Sequence, residues 1–439
     1  MARRKAKDKF YQLKIEGLSH EGRGIAHHGE KIIFIRGALP GESVAAVRTL
    51  SRSKYEEADV VEILKPSHER INPRCDVYGV CGGCSFQHLS DSNQIKAKQE
   101  WLQSAFLGQS KVIPKLWLEP LQVDSWGYRR KARLGVRYVQ KKDRVLVGFR
   151  EKKSSFITLM DRCEVLHPSL GGRLNILSEC IGKLSIKTDI PQIEVAIAEN
   201  ATILILRHLQ PLQETDKVIL KDYAKLLEIT WYSQSGGLDT VKPLFDATEL
   251  IYSLPEHGIE MAFLATDFTQ VNFELNQKMI SLALGLLELD KNDKVIDLFC
   301  GLGNFTLPIA RYTKSVVGIE GDKGLIDRAK ENAQRNGLMN ASFYKADLFE
   351  DVRGFEWFRN KRYNKALIDP ARNGAIEIVE LLPEMGVNRV VYVSCNPATL
   401  ARDTAKLVEL GYTLEQAGVM DMFPQTAHVE SIALFVKTN

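Results

Sequence analysis

The seven cysteines of this 439-residue chain fall into groups whose neighbours invite different chemistry. Cys395 closes the apolar run "VVYVS" and stands directly before Asn396 and Pro397. Proline ends a strand, and the residue preceding a proline is pushed out of the helical region. The thiol is therefore expected at the tip of a strand, facing the edge where open α/β sheets bind ligands. There a thiolate can act as a covalent nucleophile. Taken alone, the stretch reads equally as a core cysteine serving as a small hydrophobe. Cys300, inside "DLFCGLG", is the rival thiol and reads better as packing.

A second group is Cys75, Cys81 and Cys84 in "RCDVYGVCGGCSFQH", spaced C-x5-C-x2-C. Gly82 and Gly83 allow the tight loop that a CxxC ligand pair needs. Three neighbouring thiolates in a reducing compartment point to a metal site rather than to separate burial. A fourth ligand must come from elsewhere. Cys163 is the nearest downstream cysteine, whereas Cys180 sits inside an apparent helix and reads as core. Four thiolates fit zinc or an iron–sulfur cluster, and spacing does not separate the two.

The elements that would position Cys395 repeat through the last third of the chain. "KVIDLFCGLGNFTLPIA" is a strand, a glycine turn and a helix, and the glycines let backbone approach a ligand at the helix N-terminus. It is not the dinucleotide GxGxxG, because Thr306 stands at the third glycine position. The next strand ends on Glu320, nineteen residues beyond Gly301, where an acid suits a ribose hydroxyl pair. "ASFYKAD" brings Asp347 to a strand end, "NKALID" brings Asp369, and "NRVVYVSC" brings Cys395. Strands and helices alternate from Phe263 onward, which predicts a parallel, doubly wound sheet.

Length predicts several domains, and 44% hydrophobic with 26% charged residues fits a water-soluble chain. No run is apolar and long enough for a membrane span, and "MARRKAKDKFYQ" lacks the apolar core of a signal peptide, so cytoplasm is the expected location. Short strands separated by glycine turns predict an OB-like β-barrel over residues 1–65. Residues 66–260 read as a mainly β central domain holding the metal loop, with helices near 170–184 and 216–227. A further helix near 91–107 is a candidate to pack on the domain at 261–439 instead. Net charge is only +4, yet residues 126–153 carry eleven Lys/Arg against two acids, interleaved with Trp126, Tyr128, Tyr138 and Phe149, and the first ten residues add five more basic groups. Such a strip is the footprint of a nucleic-acid surface, or else a solvated charged hairpin.

The ordered motifs "DFTQVN", "DLFCGLGNF", "GIE", "KAD", "DPAR", "VSCNPATLARD" and "DMFPQTAHVE" resemble the RNA uracil-C5 methyltransferases. The resemblance implies a Rossmann-like class I methyltransferase domain that binds S-adenosylmethionine through Gln270, Phe299, Asn304, Glu320, Asp347 and Asp369. Gln270 and Asp369 are alternatively placed to meet the uracil edge. It implies Cys395 as the nucleophile that adds to C6 of uracil, and Glu430 as the base that removes the C5 proton. His428 is the rival base, since its ordinary pKa is near neutral; a strand-edge acid is the plainer reading of Glu430. With the N-terminal barrel read as a TRAM domain, the cysteine spacing resembles the subgroup that acts on 23S rRNA. That implies a [4Fe–4S] cluster on Cys75, Cys81, Cys84 and Cys163, 23S rRNA as partner, and a monomer with no obligate protein partner or membrane. The competing readings are a radical methylthiotransferase, whose CxxxCxxC loop is missing, a tRNA uracil methyltransferase, and an inactive RNA-binding module.

Overall fold

The computed structural model describes residues 9–359 and 362–438. Arg3, Arg4, Lys5 and Lys7 of the basic amino-terminal stretch lie outside the described residues. The chain forms two compact units whose segments interleave along the sequence. The first holds Met1–Trp101, Phe149–Thr158 and Phe423–His428; the second holds Leu102–Gly148, Leu159–Met422 and Val429–Asn439.

In the first unit, six strands form one sheet in the order Phe10–Lys14, Ser43–Ser51, Tyr55–Lys65, Lys31–Arg36, Arg23–His28, Gly17–Leu18. Burial alternates along them, as in "FYQLK" and "KIIFIR", so one face supplies the core and the other meets solvent. The inward set is Tyr11, Leu13, Ile15, Ala26, Ile33, Ile35, Val44, Ala46 and Ala58. The glycine-rich stretch "SHEGRGIAHHGE", which reads as a turn, holds a strand of its own, Arg23–His28, paired antiparallel with Lys31–Arg36. Glu42 is fully buried, and Arg70 satisfies it through Nε and Nη2 at 2.5 and 2.8 Å, with Leu39 N–H donating at 2.9 Å.

The stretch Phe423–His428 is bound into this unit by specific hydrogen bonds. Ser85 and Phe86 N–H both donate to Gln425 C=O at 2.9 and 3.0 Å, and Gln94 Nε2 donates to Gln425 Oε1 at 3.0 Å while Gln425 N–H donates back to Gln94 Oε1 at 2.9 Å. The fully buried Lys98 donates to Phe423 C=O at 3.2 Å.

The second unit contains two large sheets and the Leu250–Leu254/Ile259–Phe263 hairpin. One sheet runs Lys242–Pro243, Thr230–Gln234, Thr202–Arg207, Gln192–Ile197, Lys131–Val139, Arg144–Gly148. The other has eight strands in the order Ala341–Lys345, Ser315–Glu320, Lys294–Leu298, Lys365–Ile368, Arg389–Ser394, Glu430–Lys437, Tyr412–Met420, Leu116–Trp117. Its first five strands are parallel, and "SVVGI" and "RVVYVS" are buried without alternation because helices cover both faces of such sheets. Glu430–Lys437 runs antiparallel to Arg389–Ser394. The chain goes outward from Lys294–Leu298 to Ala341–Lys345, then crosses back to Lys365–Ile368 on the other side. That reversal opens a crevice at the carboxyl ends of Lys294–Leu298 and Lys365–Ile368. No helix among the described residues is long and apolar enough to cross a membrane.

Candidate active site

The turn after Lys294–Leu298 is bent sharply. Phe299 takes φ 67°, a region that bulky residues rarely occupy, and Gly301 and Gly303 follow at φ 56° and 96°. The Phe299 ring lies 5.7 Å from that of Phe349, which is partly exposed. Asn304 is held by a reciprocal amide pair: Asn276 Nδ2 donates to Asn304 Oδ1 and Asn304 Nδ2 donates to Asn276 Oδ1, each at 2.9 Å. Tyr252 Oη donates to the same Asn304 oxygen at 2.9 Å. Glu320 accepts from Gly301 N–H at 3.1 Å, Gly321 N–H at 2.7 Å and Asp322 N–H at 3.0 Å, which fixes its carboxylate beside the turn. Asp347 is exposed and accepts from Phe349 N–H at 3.0 Å.

Gln270 is half-buried, next to buried Thr269 and to Asn272, whose side chain caps the Phe273–Leu287 helix. The loop leading to Gln270 is anchored by Lys131, whose Nζ donates to Ala265 and Asp267 C=O at 2.7 Å each, and by the Arg328–Asp267 ion pair at 2.5 Å. Burial lowers the Lys131 ammonium to about 8, against the opposing charges of Asp267 and Glu194.

Cys395 follows the last residue of Arg389–Ser394 and is half-buried. Asn396 is the N-cap of the Pro397–Glu409 helix: its side chain accepts from Ala398 N–H at 3.1 Å, and Pro397 takes the first helical position. The turn that exposes the thiol is thus a helix start. Glu430 opens the adjacent antiparallel strand and is buried, at 5% exposure. Burial, then the charges of Glu430 and Asp369, raise the Cys395 thiol to about 11, while Arg372 pulls it down. Burial lifts Asp369 to about 7. Asp297, fully buried, rises to about 8, chiefly through burial, with Asp369 and Glu320 adding to it and the Thr306 hydroxyl bond opposing it.

Cys395, Glu430 and Asp369 therefore share one electrostatic neighbourhood, and Asp369, Asp297 and Glu320 share the next. Cys300 lies apart in role. It is buried, a Cβ on Gly318 would stand 2.8 Å from its sulfur, and its thiol is pushed well up by burial. His428 belongs to the first unit, is exposed and rests its ring 5.2 Å from Phe423.

Cys75, Cys81 and Cys84 belong to the first unit and Cys163 to the second; none is in a disulfide. Among the described residues no three His, Cys, Asp or Glu side chains form a metal-holding group. The loop nevertheless has the donor chemistry of a thiolate site. Gly83 N–H points to Cys81 Sγ at 3.4 Å, and the Lys152 ammonium feels both Cys81 and Cys84. Gly82 packs so closely that a Cβ there would stand 2.9 Å from Arg150 C=O. Cys180 is fully buried in the Leu174–Gly182 helix, as its sequence context indicates.

The basic run divides by burial. Lys131 serves the loop described above, and Arg130 donates to Ala198 C=O at 3.0 Å with its guanidinium 4.7 Å from the Phe273 ring centre. Arg133 and Arg137 are exposed on the Lys131–Val139 strand, Arg133 pairing with Glu194 at 3.0 Å. Sequence reasoning missed Asp297, Arg372, Asn276 and Tyr252. The first two lie in the motifs "DLFCGLG" and "DPAR", where a test of every polar residue would have found them. The latter two carry no local signal.

A family model described as tRNA (uracil-5-)-methyltransferase matches residues 93–438, and a TRAM domain model matches residues 8–61. The chain is 66% identical over 435 residues, 99% of each chain, to the 23S rRNA (uracil(1939)-C(5))-methyltransferase RlmD of Vesicomyosocius okutanii subsp. Calyptogena okutanii. It is 49% identical over 436 residues to the protein of that name from Alkalilimnicola ehrlichii, covering 99% of this chain and 98% of the relative. In fold it is similar to the crystal structure of Pyrococcus abyssi tRNA (uracil-54, C5)-methyltransferase in complex with S-adenosyl-L-homocysteine, with a TM-score of 0.74 at 21% identity over 97% of this chain and 100% of that one. A match over most of its length, carrying the sheet edge where Cys395, Glu430 and Asp369 converge, means that the chain belongs to the tRNA (uracil-5-)-methyltransferase family of RNA uracil-C5 methyltransferases.

Proposed function

We propose that this protein transfers a methyl group from S-adenosylmethionine to C5 of a uridine in 23S rRNA. The observation that carries the chemistry is the convergence of Cys395, Glu430 and Asp369 at the carboxyl edge of the sheet, beside the Phe299–Asn304 turn. The choice of 23S rRNA follows the names of relatives aligned over nearly the whole chain.

C5 of uracil is a poor nucleophile until C6 is attacked. Cys395 Sγ, as thiolate, forms a bond to C6, and the electron pair of the C5–C6 double bond moves to C5 as an enolate. S-adenosylmethionine, when bound, supplies the electrophilic methyl that C5 takes, leaving as the thioether. Glu430 then removes the C5 proton, the double bond reforms and the Cys395–C6 bond breaks. Glu430 starts as carboxylate and ends protonated, returning its proton to solvent. Glu320 is the candidate for the ribose hydroxyls, Asp347 for the adenine amino group, and Phe299, Asn304 and Gln270 for the rest of the cofactor. Asp369, whose charge bears on both Cys395 and Asp297, and Gln270 are alternatively candidates for the uracil edge.

Cys75, Cys81, Cys84 and Cys163 would hold a [4Fe–4S] cluster, supported by the C-x5-C-x2-C spacing of the first three and by a glycine-shaped loop with a backbone N–H toward sulfur. The methyl transfer needs no redox step, so the cluster is assigned a structural or RNA-positioning part. The residue 8–61 domain and the exposed arginines of Lys131–Val139 supply the RNA surface, and the cytoplasm is the compartment that fits these parts. Labelled methyl transfer into unmodified 23S rRNA, with tRNA as control, tests the reading. Label in the 23S species alone supports it, and label in tRNA alone removes it.

A further inference from the structure

The loop that carries Asp369 and Arg372 is gripped by the helix that follows Cys395. Asp403, fully buried on Pro397–Glu409, accepts from Tyr392 Oη at 2.6 Å, from Ala375 N–H at 2.8 Å and from Arg402 Nε at 2.8 Å. Arg402 Nη2 donates to Asn373 C=O at 2.9 Å. Asn396 Nδ2 and Thr399 Oγ1 donate to Arg372 C=O at 3.1 and 3.3 Å. Gly374, at φ 76°, lets the loop come this close, since a Cβ there would lie 2.6 Å from both Asp403 Oδ2 and Arg402 Nη2.

We propose that Asp403 is a positioning residue for the reaction: it ties the Cys395 strand, through Tyr392, to the 369–375 loop, through Ala375, and so sets the distance at which Asp369 and Arg372 act on the nucleophile. Tyr392 stands three residues before Cys395, on the same strand. Loss of Asp403 would leave two buried donors, Tyr392 Oη and Ala375 N–H, without their acceptor, and buried polar groups do not tolerate that in place. The loop would then shift outward, and the two opposed charges that bear on Cys395 would move with it. The proposal rests on the reading of Cys395 as nucleophile.

The test uses the full chain with S-adenosylmethionine and an in vitro transcript of 23S rRNA in which 5-fluorouridine replaces uridine. Fluorine at C5 cannot leave as a proton, so the covalent species is trapped and its rate of formation can be read on a denaturing gel. Asp403→Ala, which removes the acceptor, and the milder Tyr392→Phe should each slow trapping at saturating RNA and cofactor by about ten- to a hundred-fold, the scale of a misplaced reacting group. Their dissociation constants for S-adenosylmethionine, by equilibrium dialysis, should stay within about two-fold, and the double variant should be no slower than the slower single, because both cut one link. Trapping rates near that of the unaltered protein in both variants overturn the proposal. So does a Tyr392→Phe protein in which rate and cofactor affinity fall together. An unaltered protein that forms no adduct, or a Cys395→Ala protein that still forms one, removes the underlying reading instead.

Discussion

Cys395 and Glu430 are one step beyond the Ser394–Ser431 pair in the antiparallel ladder that joins their strands. Glu430 is at the same time paired with Met420 on its other side, so its backbone is held between two strands. The nucleophile and the proposed base are thus set opposite each other by sheet register, and a slip of one residue would separate them.

This arrangement predicts different failures for the two substitutions. Cys395→Ala should bind RNA and cofactor yet form no covalent species and transfer no methyl. Glu430→Gln should add its thiol and transfer methyl once, then stall as an RNA adduct that carries cofactor label through denaturing electrophoresis. Steady turnover should fall by about 10²- to 10⁴-fold, the usual worth of a positioned base. Normal turnover of Glu430→Gln would pass the role to another group, with His428 the next to change.

The Cys395 thiol, raised to about 11 without substrates, predicts sluggish alkylation at neutral pH. Iodoacetamide labelling of Cys395, followed by mass spectrometry, should accelerate about ten-fold per pH unit between about 7 and 9, with no plateau, as the thiolate fraction grows. Arg372→Ala removes a charge that favours the thiolate and should slow labelling at about pH 8; Glu430→Gln should speed it. Cys300 should stay unlabelled. A plateau within that range would contradict this account.

Stability should carry the mark of the two raised aspartates. Asp297 and Asp369 have folded values of about 8 and 7, above the ordinary carboxylate value. A raised folded value means that the folded state holds its proton longer, so the contribution is complete below about pH 4 and is lost as pH climbs toward about 8. Urea midpoints measured from about pH 5 to about 8.5 should fall less steeply for Asp297→Asn than for the unaltered protein. Equal slopes would show that Asp297 is not held neutral in the folded state.

For RNA, Arg133→Ala with Arg137→Ala should weaken binding and lower the salt slope by about 0.7–0.9 for each phosphate no longer neutralised. Lys131→Met should instead lower the melting temperature and weaken cofactor binding, because it frees the loop that leads to Gln270. A filter-binding titration over salt, set beside a thermal melt, separates the two.

Protein isolated without oxygen should hold iron and sulfide, with visible absorbance that Cys81→Ser abolishes. Stoichiometric zinc in a colourless sample would overturn the cluster.

What could be read from the sequence was what local rules govern. Pro397 stops a strand, so the exposure of Cys395 was legible; the acids at Glu320 and Asp369 were legible because parallel strands present their carboxyl ends to one crevice. Glu430 was not, since its meaning depends on a strand that returns antiparallel beside Cys395, and residue types do not announce that pairing. Only the resemblance singled it out. Charge without burial misled at Arg130 and Lys131, where a run that looks like an RNA surface spends two of its cations inside the fold. Asp403 sits in the motif "VSCNPATLARD", but its partners Ala375 and Tyr392 come from two other elements.

The hydrogen bonds that bind Gln425 to Ser85, Phe86 and Gln94 have a consequence for synthesis. Gln94 leaves the ribosome 331 positions before the residue it pairs with. The first unit therefore cannot be completed as its own sequence emerges; the small sheet can form early, but the loop after Cys84 waits for Phe423–His428. Such distant pairings make folding slow. A fragment ending at Trp101 would lack that strip, and chains interrupted before residue 423 should be preferred targets of proteolysis at the cysteine loop.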